Sequence, residues 1–583
     1  MNFRPLIALL ALLPLACGPE STPLPSESQP GGPLVLVFSP APSVALPASQ
    51  KTLHISGRVN SLAGLSEFSW QLDEEAATPL AFEPGAEEHP FTFTIPLSEG
   101  THVLRLRALD SAGRVGTSTL RVTSVGPPKV QVLSPAAGQS VTVRRVRVEG
   151  TATGDMKLAS FTWALNGASP QPLSATPGAF AFEVTPRPGP NTLILHAVDV
   201  LGNETEQTRS FHYGSRSGGG GLHTGVVRDG LLYTWGRNNR GQIGWGSAVT
   251  TDQKLPGKVP AFTDVAAMAF NQNSSLALKL DGTVWAWGEN AQGQLGLGPV
   301  PQADVPRTPD LTPRFSPTRV PGLSGAVALG LGYRHALVLF EDGSVRAFGD
   351  NSAGQLGDGT PGGTKDYPVT VVGLTDVVKV VAGSMHSVAL QGDGTVWAWG
   401  RNTYGNLGLG TADSASHPTP TRVPGLANVV DIATGRDHVL ALHADGTVSS
   451  WGLDASGQLG TGEVLPDEES AVPMRVKGLA DARAVFANGL MSYAWRADGS
   501  LVSWGQNFNG QLGNGTTTDA REPTPSVAGL KGLVTVAPGA THVVAFREDG
   551  ELFTWGWNSR GSLGRDDLLD NWTYSEPIRV TLP

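Results

Sequence analysis

Cysteine and charge are both scarce in this sequence of 583 residues. Its 1 cysteine excludes a disulfide within the chain, so packing alone must hold each domain together. Charged residues make up 16%, and the net charge of -10 with a pI near 5.7 supplies no basic field for phosphate backbones. We therefore expect no nucleic-acid partner. Glycine and proline are abundant, at 74 and 44 residues, and they favour many short strands joined by turns over long helices.

The N-terminal segment MNFRPLIALLALLPLACGPE has the pattern of a secretory signal. One positive charge at Arg4 precedes an apolar run over residues 6–13, which is too short for an ordinary membrane span. Cys17 lies where the lipobox of exported bacterial lipoproteins, which this segment resembles, places its modified thiol. The resemblance implies a lipid anchor at residue 17 and an outer-membrane or cell-surface location. Pro14 departs from the lipobox pattern, and the alternative is a cleaved signal followed by a free thiol in a periplasmic or secreted protein.

Residues 18–32 are rich in proline and serine, so they are predicted to form an extended tether. A duplicated pattern follows over residues 33–125 and 126–213. FSWQL and FTWAL place Trp70 and Trp163 at matching positions, and each copy alternates apolar and polar residues as strands do. The two copies resemble the immunoglobulin-like β-sandwiches of bacterial surface proteins. Both tryptophans are predicted to lie in the cores.

From residue 214 to residue 583 one string recurs seven times. DGTVWAWGENAQGQLG at 281–296 and DGTVWAWGRNTYGNLG at 393–408 are clear copies. The copies begin at Asp229, Asp281, Asp342, Asp393, Asp445, Asp498 and Asp549, at intervals of 52, 61, 51, 52, 53 and 51 residues. A fixed period of this length with several strands per unit predicts a propeller or a solenoid.

Each part of the repeat predicts a local structure. Asp-Gly between apolar runs predicts a tight hairpin, because both central residues of such a turn can need positive φ. The large ring that follows is predicted to fill the wedge between neighbouring sheets, and the glycine after it permits a close backbone approach. The rings are Trp235, Trp287, Phe348, Trp399, Trp451, Trp504 and Trp555.

These repeats resemble the regulator-of-chromosome-condensation family, whose seven repeats build a seven-bladed β-propeller. The expected chain is all-β, with two immunoglobulin-like β-sandwiches followed by a seven-bladed β-propeller over residues 214–583. SEPIRV at 575–580 follows the last repeat, whereas GSRSGGGG at 214–221 precedes the first. We therefore expect the C-terminal strand to complete the first blade, as in related propellers.

The resemblance implies three different functions. The founding member of the family is a guanine-nucleotide exchange factor that also binds chromatin, but the export signal, the acidic chain and the sandwich domains argue against that activity here. A plant ultraviolet photoreceptor of the family uses clustered tryptophans, whereas GYRH at 332–335 has tyrosine in the matching motif. A secreted bacterial inhibitor of β-lactamases also has this propeller, which makes enzyme inhibition an alternative for an exported member.

A propeller hydrolase or lyase is the enzymatic alternative. Four histidines stand seven residues before the hairpin aspartate of their repeats, namely His335, His386, His438 and His542. This regularity favours packing or hydrogen bonding over metal binding. The sequence shows no nucleophile elbow or phosphate loop, and Asp566, Asp567 and Asp570 are interpreted as a solvated loop rather than a calcium site. We expect no enzyme, no metal and no cofactor.

Specificity in such scaffolds lies where the repeat is broken. The longest interval contains PVPQADVPRTPDLTPRFSPT at 299–318, where the candidate contact residues are Arg307, Arg314 and Phe315. The acidic segment EVLPDEES at 463–470 adds the candidates Asp467, Glu468 and Glu469. A tolerated insertion without a partner is the alternative for both segments. We expect an exported, lipid-anchored binding scaffold whose partner is a protein or a glycan at the cell surface.

Replacing Cys17 with Ser is predicted to move the protein from the membrane fraction of its cells to the soluble fraction, because the thiol that would carry the acyl chains is gone. Cell fractionation with immunoblotting measures the change. Ser21→Ala, which leaves the thiol in place, is the control. Full membrane association of the cysteine variant would count against lipidation.

Overall fold

The computed structural model describes residues 27–302, 306–526 and 530–583. Apart from a 3-10 turn at Pro466–Glu468, the regular structure of these residues is β-strand. None of the described residues form a helix that is long and apolar enough to cross a membrane. Cys17 and the predicted signal lie outside the described residues.

The first sandwich packs two sheets face to face. Its strands are β1 Glu27–Ser28, β2 Leu34–Ser39, β3 Ser43–Pro47, β4 Thr52–Asn60, β5 Leu65–Leu72, β6 Thr78–Pro79, β7 Glu88–Pro96, β8 Gly100–Asp110 and β9 Val115–Val125. One sheet has the order β2-β4-β7 and the other β1-β9-β8-β5-β6, with β3 parallel to β9. Leu104 and Leu106 of β8 are buried between the sheets, whereas Arg105 and Arg107 are exposed, as the period of two requires. Strand β1 falls within the segment predicted to be a tether.

The second sandwich repeats this arrangement. Its strands are β10 Lys129–Ser134, β11 Ser140–Val141, β12 Val146–Thr153, β13 Leu158–Leu165, β14 Gln171–Pro172, β15 Gly178–Val184, β16 Gly189–Asp199 and β17 Glu204–Tyr213. The sheet orders are β10-β12-β15 and β11-β17-β16-β13-β14. Asn203 joins the two sandwiches, since its Nδ2 donates to the Val125 carbonyl at 3.0 Å and to Asp199 Oδ2 at 2.9 Å.

The two sandwich tryptophans lie at the margins of the cores rather than inside them. Trp70 and Trp163 are half-buried and stack on Phe93 and Phe182, with ring centroids 5.2 and 5.0 Å apart. Phe68 and Phe161, two residues earlier on the same faces, are the buried rings. The opposing three-stranded sheet is narrower than the sheet that carries the tryptophans, so it covers the phenylalanines more completely.

The rest of the chain forms antiparallel sheets of four consecutive strands, seven of them in the described residues. Blades 1 to 3 are β18 Ser217–Gly219, β19 His223–Arg228, β20 Leu231–Gly236 and β21 Gln253–Lys258; β22 Val265–Phe270, β23 Ser274–Lys279, β24 Val284–Gly288 and β25 Arg314–Arg319; β26 Ala326–Leu331, β27 His335–Phe340, β28 Val345–Asp350 and β29 Thr364–Thr370. Blades 4 and 5 are β30 Val377–Ala382, β31 His386–Gln391, β32 Val396–Arg401 and β33 Ser416–Arg422; β34 Val429–Thr434, β35 His438–His443, β36 Val448–Leu453 and β37 Glu469–Arg475. Blades 6 and 7 are β38 Ala482–Asn488, β39 Met491–Arg496, β40 Leu501–Gly505 and β41 Ala520–Pro525; β42 Leu533–Pro538, β43 His542–Arg547, β44 Leu552–Asn558 and β45 Trp572–Val580.

The blades form a ring around a central channel. One cavity of about 260 Å³ is lined by the first strands of all these sheets. The inner turns, between the first and second strands, are hydrogen-bonded from blade to blade around the whole circle. The bonds are Gly221 N to Asn271 O (2.9 Å), Asn271 Nδ2 to Gly332 O (2.7 Å), Tyr333 N to Gly383 O (3.2 Å), Ser384 N to Arg436 O (2.8 Å), Arg436 N to Gly489 O (2.7 Å), Asn488 Nδ2 to Pro538 O (2.9 Å) and Ala540 N to Gly220 O (3.0 Å).

The expectation that the C-terminal strand completes the first blade is wrong. Strand β45 pairs with β44 of blade 7, and blade 1 takes its innermost strand, β18, from the glycine-rich segment. Glycine fits in β18 because neighbouring residues leave no room for a side chain. A Cβ on Gly218 would lie 2.6 Å from the Phe270 ring, and one on Gly219 would lie 2.5 Å from Gly539. The strand therefore has no apolar pattern by which the sequence could reveal it.

Blades 1 and 7 share no sheet, and side-chain contacts close the ring together with the Ala540 N to Gly220 O bond. Thr224 Oγ1 lies 2.7 Å from His542 Nε2 and donates to the Ser562 carbonyl at 2.8 Å. The same carbonyl accepts from Trp235 Nε1 at 2.9 Å. All these groups are buried, so the junction between the first and last blades excludes water.

The propeller has two different ends. The free face carries the inner turns and the outer loops, which join third to fourth strands; the hairpin face carries the Asp-Gly hairpins and the connections between blades. The second sandwich packs on the hairpin face. Arg145 Nη2 contacts both carboxylate oxygens of Asp376 at 2.8 Å, and His212 Nε2 donates to the Ala266 carbonyl at 2.6 Å. Thr142 lines the channel and accepts from Lys379 Nζ at 2.8 Å, so the sandwich covers the base of the channel.

The predicted hairpins form, and blade 1 differs from the other blades in its turn geometry. Only in blade 1 do both central residues have positive φ, 53° at Asp229 and 73° at Gly230. In the other six hairpins, all described, the glycine has positive φ and the aspartate does not. There the aspartate acts through its side chain, as in blade 2, where Asp281 Oδ1 accepts from Thr283 N at 2.9 Å and from Thr283 Oγ1 at 2.6 Å. These bonds hold the pKa of Asp281 below its usual value.

Thr224→Val is predicted to destabilise the chain by about 1–3 kcal/mol, because it keeps the shape of the side chain and removes the buried hydroxyl partner of His542 Nε2, while the Ser562 carbonyl keeps its bond from Trp235 Nε1. Urea unfolding measures the change. Thr251→Val, at an exposed threonine, is the control and should have little effect. An unchanged midpoint for the first variant would contradict closure through this contact.

Candidate functional site

The repeat aromatics lie between blades and are completely buried. All seven rings, Trp235, Trp287, Phe348, Trp399, Trp451, Trp504 and Trp555, have 0% exposure. Each indole donates to a main-chain carbonyl of the preceding blade, as Trp287 Nε1 does to Gln242 O at 2.9 Å and Trp399 Nε1 does to Gln355 O at 2.9 Å. The rings therefore both fill the wedge between sheets and satisfy a polar group of the GQLG turn.

Five histidines bridge neighbouring blades from the start of the second strand. They are His223, His335, His386, His438 and His542, all with 0% exposure. Their Nε2 atoms lie 2.7–3.1 Å from a serine or threonine Oγ of the next blade. That hydroxyl donates onward to a carbonyl, as Ser387 Oγ does to Gln355 O at 2.7 Å, so it accepts from the imidazole N–H.

His223 does not have the seven-residue spacing from its hairpin aspartate, because the blade 1 hairpin is shorter. It stands six residues before Asp229, whereas the other four stand seven residues before their aspartates. A second sequence pattern identifies all five bridging histidines. Each histidine follows a glycine by three residues, and a Cβ on Gly332, for example, would lie 2.4 Å from His335 Cε1. In blades 2 and 6, Ser274 and Met491 replace the histidine, and asparagines 271 and 488 replace the glycine.

Burial makes these histidines unsuitable for proton transfer at neutral pH. Desolvation lowers the pKa of His335 and His438 from 6.5 to about 3, and that of His542 to about 4. Neutral imidazoles that are enclosed on every side and bonded to hydroxyls serve the packing of blades. The described residues contain no group of three or more His, Cys, Asp or Glu side chains placed to hold a metal ion.

The arginines of the long blade 2 loop bond within the chain. Arg307 pairs with the buried Asp366 carboxylate and lies 4.9 Å from the Tyr367 ring centroid. Arg314 pairs with Asp310. Phe315 lies against Gly241 of blade 1, where an added Cβ would be 2.7 Å from its ring. The structure therefore places these residues in contacts between blades 1, 2 and 3 rather than in one exposed set.

The acidic candidates of blades 5 and 7 lie in other outer loops than the blade 2 arginines. Asp467 and Glu468 are exposed in the outer loop of blade 5, on the free face, and Glu469 begins β37. Burial, together with the Asp467 carboxylate, raises the pKa of Glu469. In the blade 7 loop, Asp567 pairs with Arg565, and Asp570 Oδ1 accepts from Arg560 N at 2.8 Å. Both aspartates therefore make their contacts within the blade 7 loop.

These features define a seven-bladed β-propeller whose repeat side chains are occupied in joining the blades. The model of the RCC1-like domain matches residues 201–528, and models of the regulator of chromosome condensation (RCC1) repeat match residues 534–562 and 549–583. The first match covers more than half of the chain. The chain belongs to the RCC1-like domain family, which confirms the predicted propeller.

Relatives share the propeller rather than the whole chain. The human E3 ubiquitin-protein ligase HERC2 is 32% identical over 345 residues, which cover 58% of this chain and 7% of the human protein. The ultraviolet-B receptor UVR8 of Arabidopsis thaliana is 28% identical over 365 residues, 60% of this chain and 78% of the receptor. The first of these matches spans a small part of its relative.

Solved structures show the same fold. Human WBSCR16 aligns with a TM-score of 0.52 at 24% identity, covering 60% of this chain and 95% of that protein. Prp20p of Saccharomyces cerevisiae aligns with a TM-score of 0.52 at 22% identity, covering 61% of this chain and 87% of the yeast protein.

Stability is predicted to fall as the pH drops below about 6.5, because histidines of the unfolded chain take up protons while the buried ones, with pKa values of about 3 to 4, do not. The full stabilisation is present above pH 6.5, and each histidine removes ~1.4 kcal/mol per pH unit between that value and its folded pKa. Urea unfolding at about pH 7.5 and about pH 5 measures the loss.

His542→Gln should reduce this pH dependence by the share of one histidine, whereas Thr251→Val, a change at an exposed residue that does not titrate, should leave it unchanged. Equal unfolding free energies of the unmodified chain at the two pH values would refute the buried neutral state.

Proposed function

We propose that the protein is a binding scaffold that recognises a partner protein with the free face of its propeller. The observation that carries this is the position of the second sandwich, which packs on the hairpin face and places Thr142 at the base of the channel. As far as the structure describes them, the inner turns and outer loops at the other end are not involved in that contact. They are also the segments in which the repeats differ most, as expected of a recognition surface.

The family supports a protein partner. The structure of yeast Prp20 has been solved with Kap60 bound, and Prp20p has binding properties to Gsp1p and histones. A scaffold fits the chemistry of this chain better than an enzyme does, because the repeated histidines are consumed by bonds between blades. A glycan partner is the alternative outcome.

The proposal also covers the location of the protein and the roles of its two sandwiches. The N-terminal sequence supports export and a lipid anchor at Cys17. We assign the two sandwiches to the immunoglobulin-like class on their paired sheets, which have three and six strands in the first sandwich and three and five strands in the second. The first is a spacer between the membrane and the binding unit, and the second belongs to the binding unit because it is packed on the propeller.

Substitutions on the free face are predicted to weaken partner binding. The full chain would be used to capture proteins from envelope extracts, and the affinity of each purified candidate would be measured by calorimetry. The double variant Arg334→Glu and Phe508→Asp changes two exposed residues of this face and should lower the affinity at least about 10-fold, the range of a minor hot spot.

Leu62→Asp is the matched control, since Leu62 is 86% exposed on the first sandwich. A partner whose affinity falls with the Leu62 variant but not with the free-face variant would place recognition elsewhere and refute the proposal.

A further inference from the structure

A cleft lies between the second sandwich and the hairpin face of the propeller, beside the junction of the first and last blades. It has a volume of about 490 Å³ and is lined by the second sandwich, by the segment that joins it to β18 and by blades 1, 2 and 7. Pro190 of the sandwich and Leu280 of blade 2 give it exposed apolar surface. Pockets for small ligands occur preferentially at such boundaries between domains.

Arg216 lines this cleft and has no acidic partner. Its Nε donates to Ser140 Oγ at 2.9 Å, and its Nη2 donates to the Gly138 carbonyl. In the part of the chain that the structure describes, Nη1 has no hydrogen-bond partner and no carboxylate forms an ion pair with the guanidinium. The side chain is half-buried, and burial lowers the pKa of Arg216. The positive charge of Arg216 is therefore partly removed from water without a balancing anion.

A charge in this situation favours the binding of an anion. Charged side chains that leave water are normally paired, because an unpaired charge loses hydration and gains nothing in return. The nearby His212 does not relieve the charge. Burial lowers the pKa of His212 to about 4, and the charge of Arg216 contributes to that shift. A carboxylate that enters the cleft can accept from Arg216 Nη1 in a charge-assisted hydrogen bond.

A second unpaired cation lines the same cleft. Arg228 ends β19 and is exposed, and its Nη2 lies 3.7 Å from the place that a Cβ on Gly550 of the blade 7 hairpin would take. Among the residues that the structure describes, Arg228 has no hydrogen-bond or ion-pair partner for its side chain. Arg547, also at the cleft, is paired with Asp549 and Glu551 at 2.9 Å each. Two arginines are thus left for a ligand.

Three carboxylates line the cleft without pairing with these arginines. Asp229, Asp264 and Glu548 are all exposed, and none of them makes an ion pair within the described part of the chain. Since solvent screens exposed charges more than half-buried ones, these carboxylates do not cancel the charge of Arg216. A simple anion would still meet them as like charges, and a simple cation would meet the arginines. A ligand with both charges avoids both repulsions.

We propose that this cleft binds a small zwitterion with an apolar side chain, of the class of free amino acids and short peptides. The carboxylate of the ligand pairs with Arg216 and Arg228, and its side chain packs on Leu280. The ammonium group lies towards the exposed carboxylates of the cleft. This site goes beyond the proposed function, because it lies at the opposite end of the propeller from the free face and is formed by both domains together.

The test measures the binding of related probes to the full chain by isothermal titration calorimetry. L-Leucine carries both charges, 4-methylpentanoate lacks the ammonium group and isopentylamine lacks the carboxylate. L-Leucine is expected to bind at least about 5-fold more tightly than either of the other two, the equivalent of about 1 kcal/mol. The dipeptide L-leucyl-L-leucine, measured in parallel, decides between a free amino acid and a short peptide as the better ligand.

Two variants test the arginines, and a third is the control. Arg228→Gln removes a charge that has no partner in the described chain, so it should leave the melting temperature unchanged and weaken binding about 5-fold. Arg216→Lys keeps the charge but loses the planar set of N–H groups, so it should also weaken binding. Arg422→Gln is the matched control, because Arg422 is an exposed arginine at the end of β33 in blade 4, and it should leave binding unchanged.

Binding that is unchanged in Arg228→Gln would overturn the proposal, whatever the effect of Arg216→Lys. Equal weakening by Arg422→Gln would show a general response to charge and overturn it as well. Binding of 4-methylpentanoate or isopentylamine as tight as that of the better of L-leucine and the dipeptide would refute the zwitterion class. Failure of both L-leucine and the dipeptide to bind at about 1 mM would remove the site and leave the proposed use of the free face standing.

Discussion

The propeller depends on hydrogen bonds that run from the side chains of one blade to the main chain of the one before it. The carbonyl of Gln355 shows the arrangement, because it accepts from both Ser387 Oγ and Trp399 Nε1 of the next blade, while His335 Nε2 contacts the same serine. Each blade therefore satisfies polar groups that its neighbour buries. Sheets that pack in a circle must all meet this condition, including the first and last, and Thr224 and Trp235 meet it there.

This requirement for hydrogen bonds between blades determines which surfaces remain available for binding. Side chains that recur in register are used between blades, and the face under the second sandwich is covered. What remains for a partner protein is the free face, where the outer loops differ in length and charge. The acidic blade 5 loop and the arginine-containing blade 2 loop illustrate the difference: the arginines of blade 2 are neutralised by Asp310 and Asp366, whereas Asp467 and Glu468 of blade 5 are exposed.

Departures from the repeat have different meanings in different blades. In blades 2 and 6, asparagines 271 and 488 replace a glycine, and their side-chain amides supply the inner-turn bonds to the next blade. Those departures are compensated and preserve the ring. In blade 5, Asp454 takes the place of the asparagine that follows the third strand in the other blades, and its second oxygen forms an ion pair with Arg521 at 3.9 Å instead of a hydrogen bond. Comparing positions within one chain thus shows how the fold accommodates each departure.

The sequence alone determined the all-β class, the seven repeats and the position of each ring, because these follow from local period and turn chemistry. Only the tertiary structure decided which strand begins blade 1, since β18 consists of small residues selected by the space between Phe270 and Gly539. It also decided that Trp70 lies at the margin of its core, that Arg307 and Arg314 form ion pairs within the chain and that the second sandwich covers one propeller face. These outcomes depend on contacts between residues far apart in the chain, which no local pattern encodes.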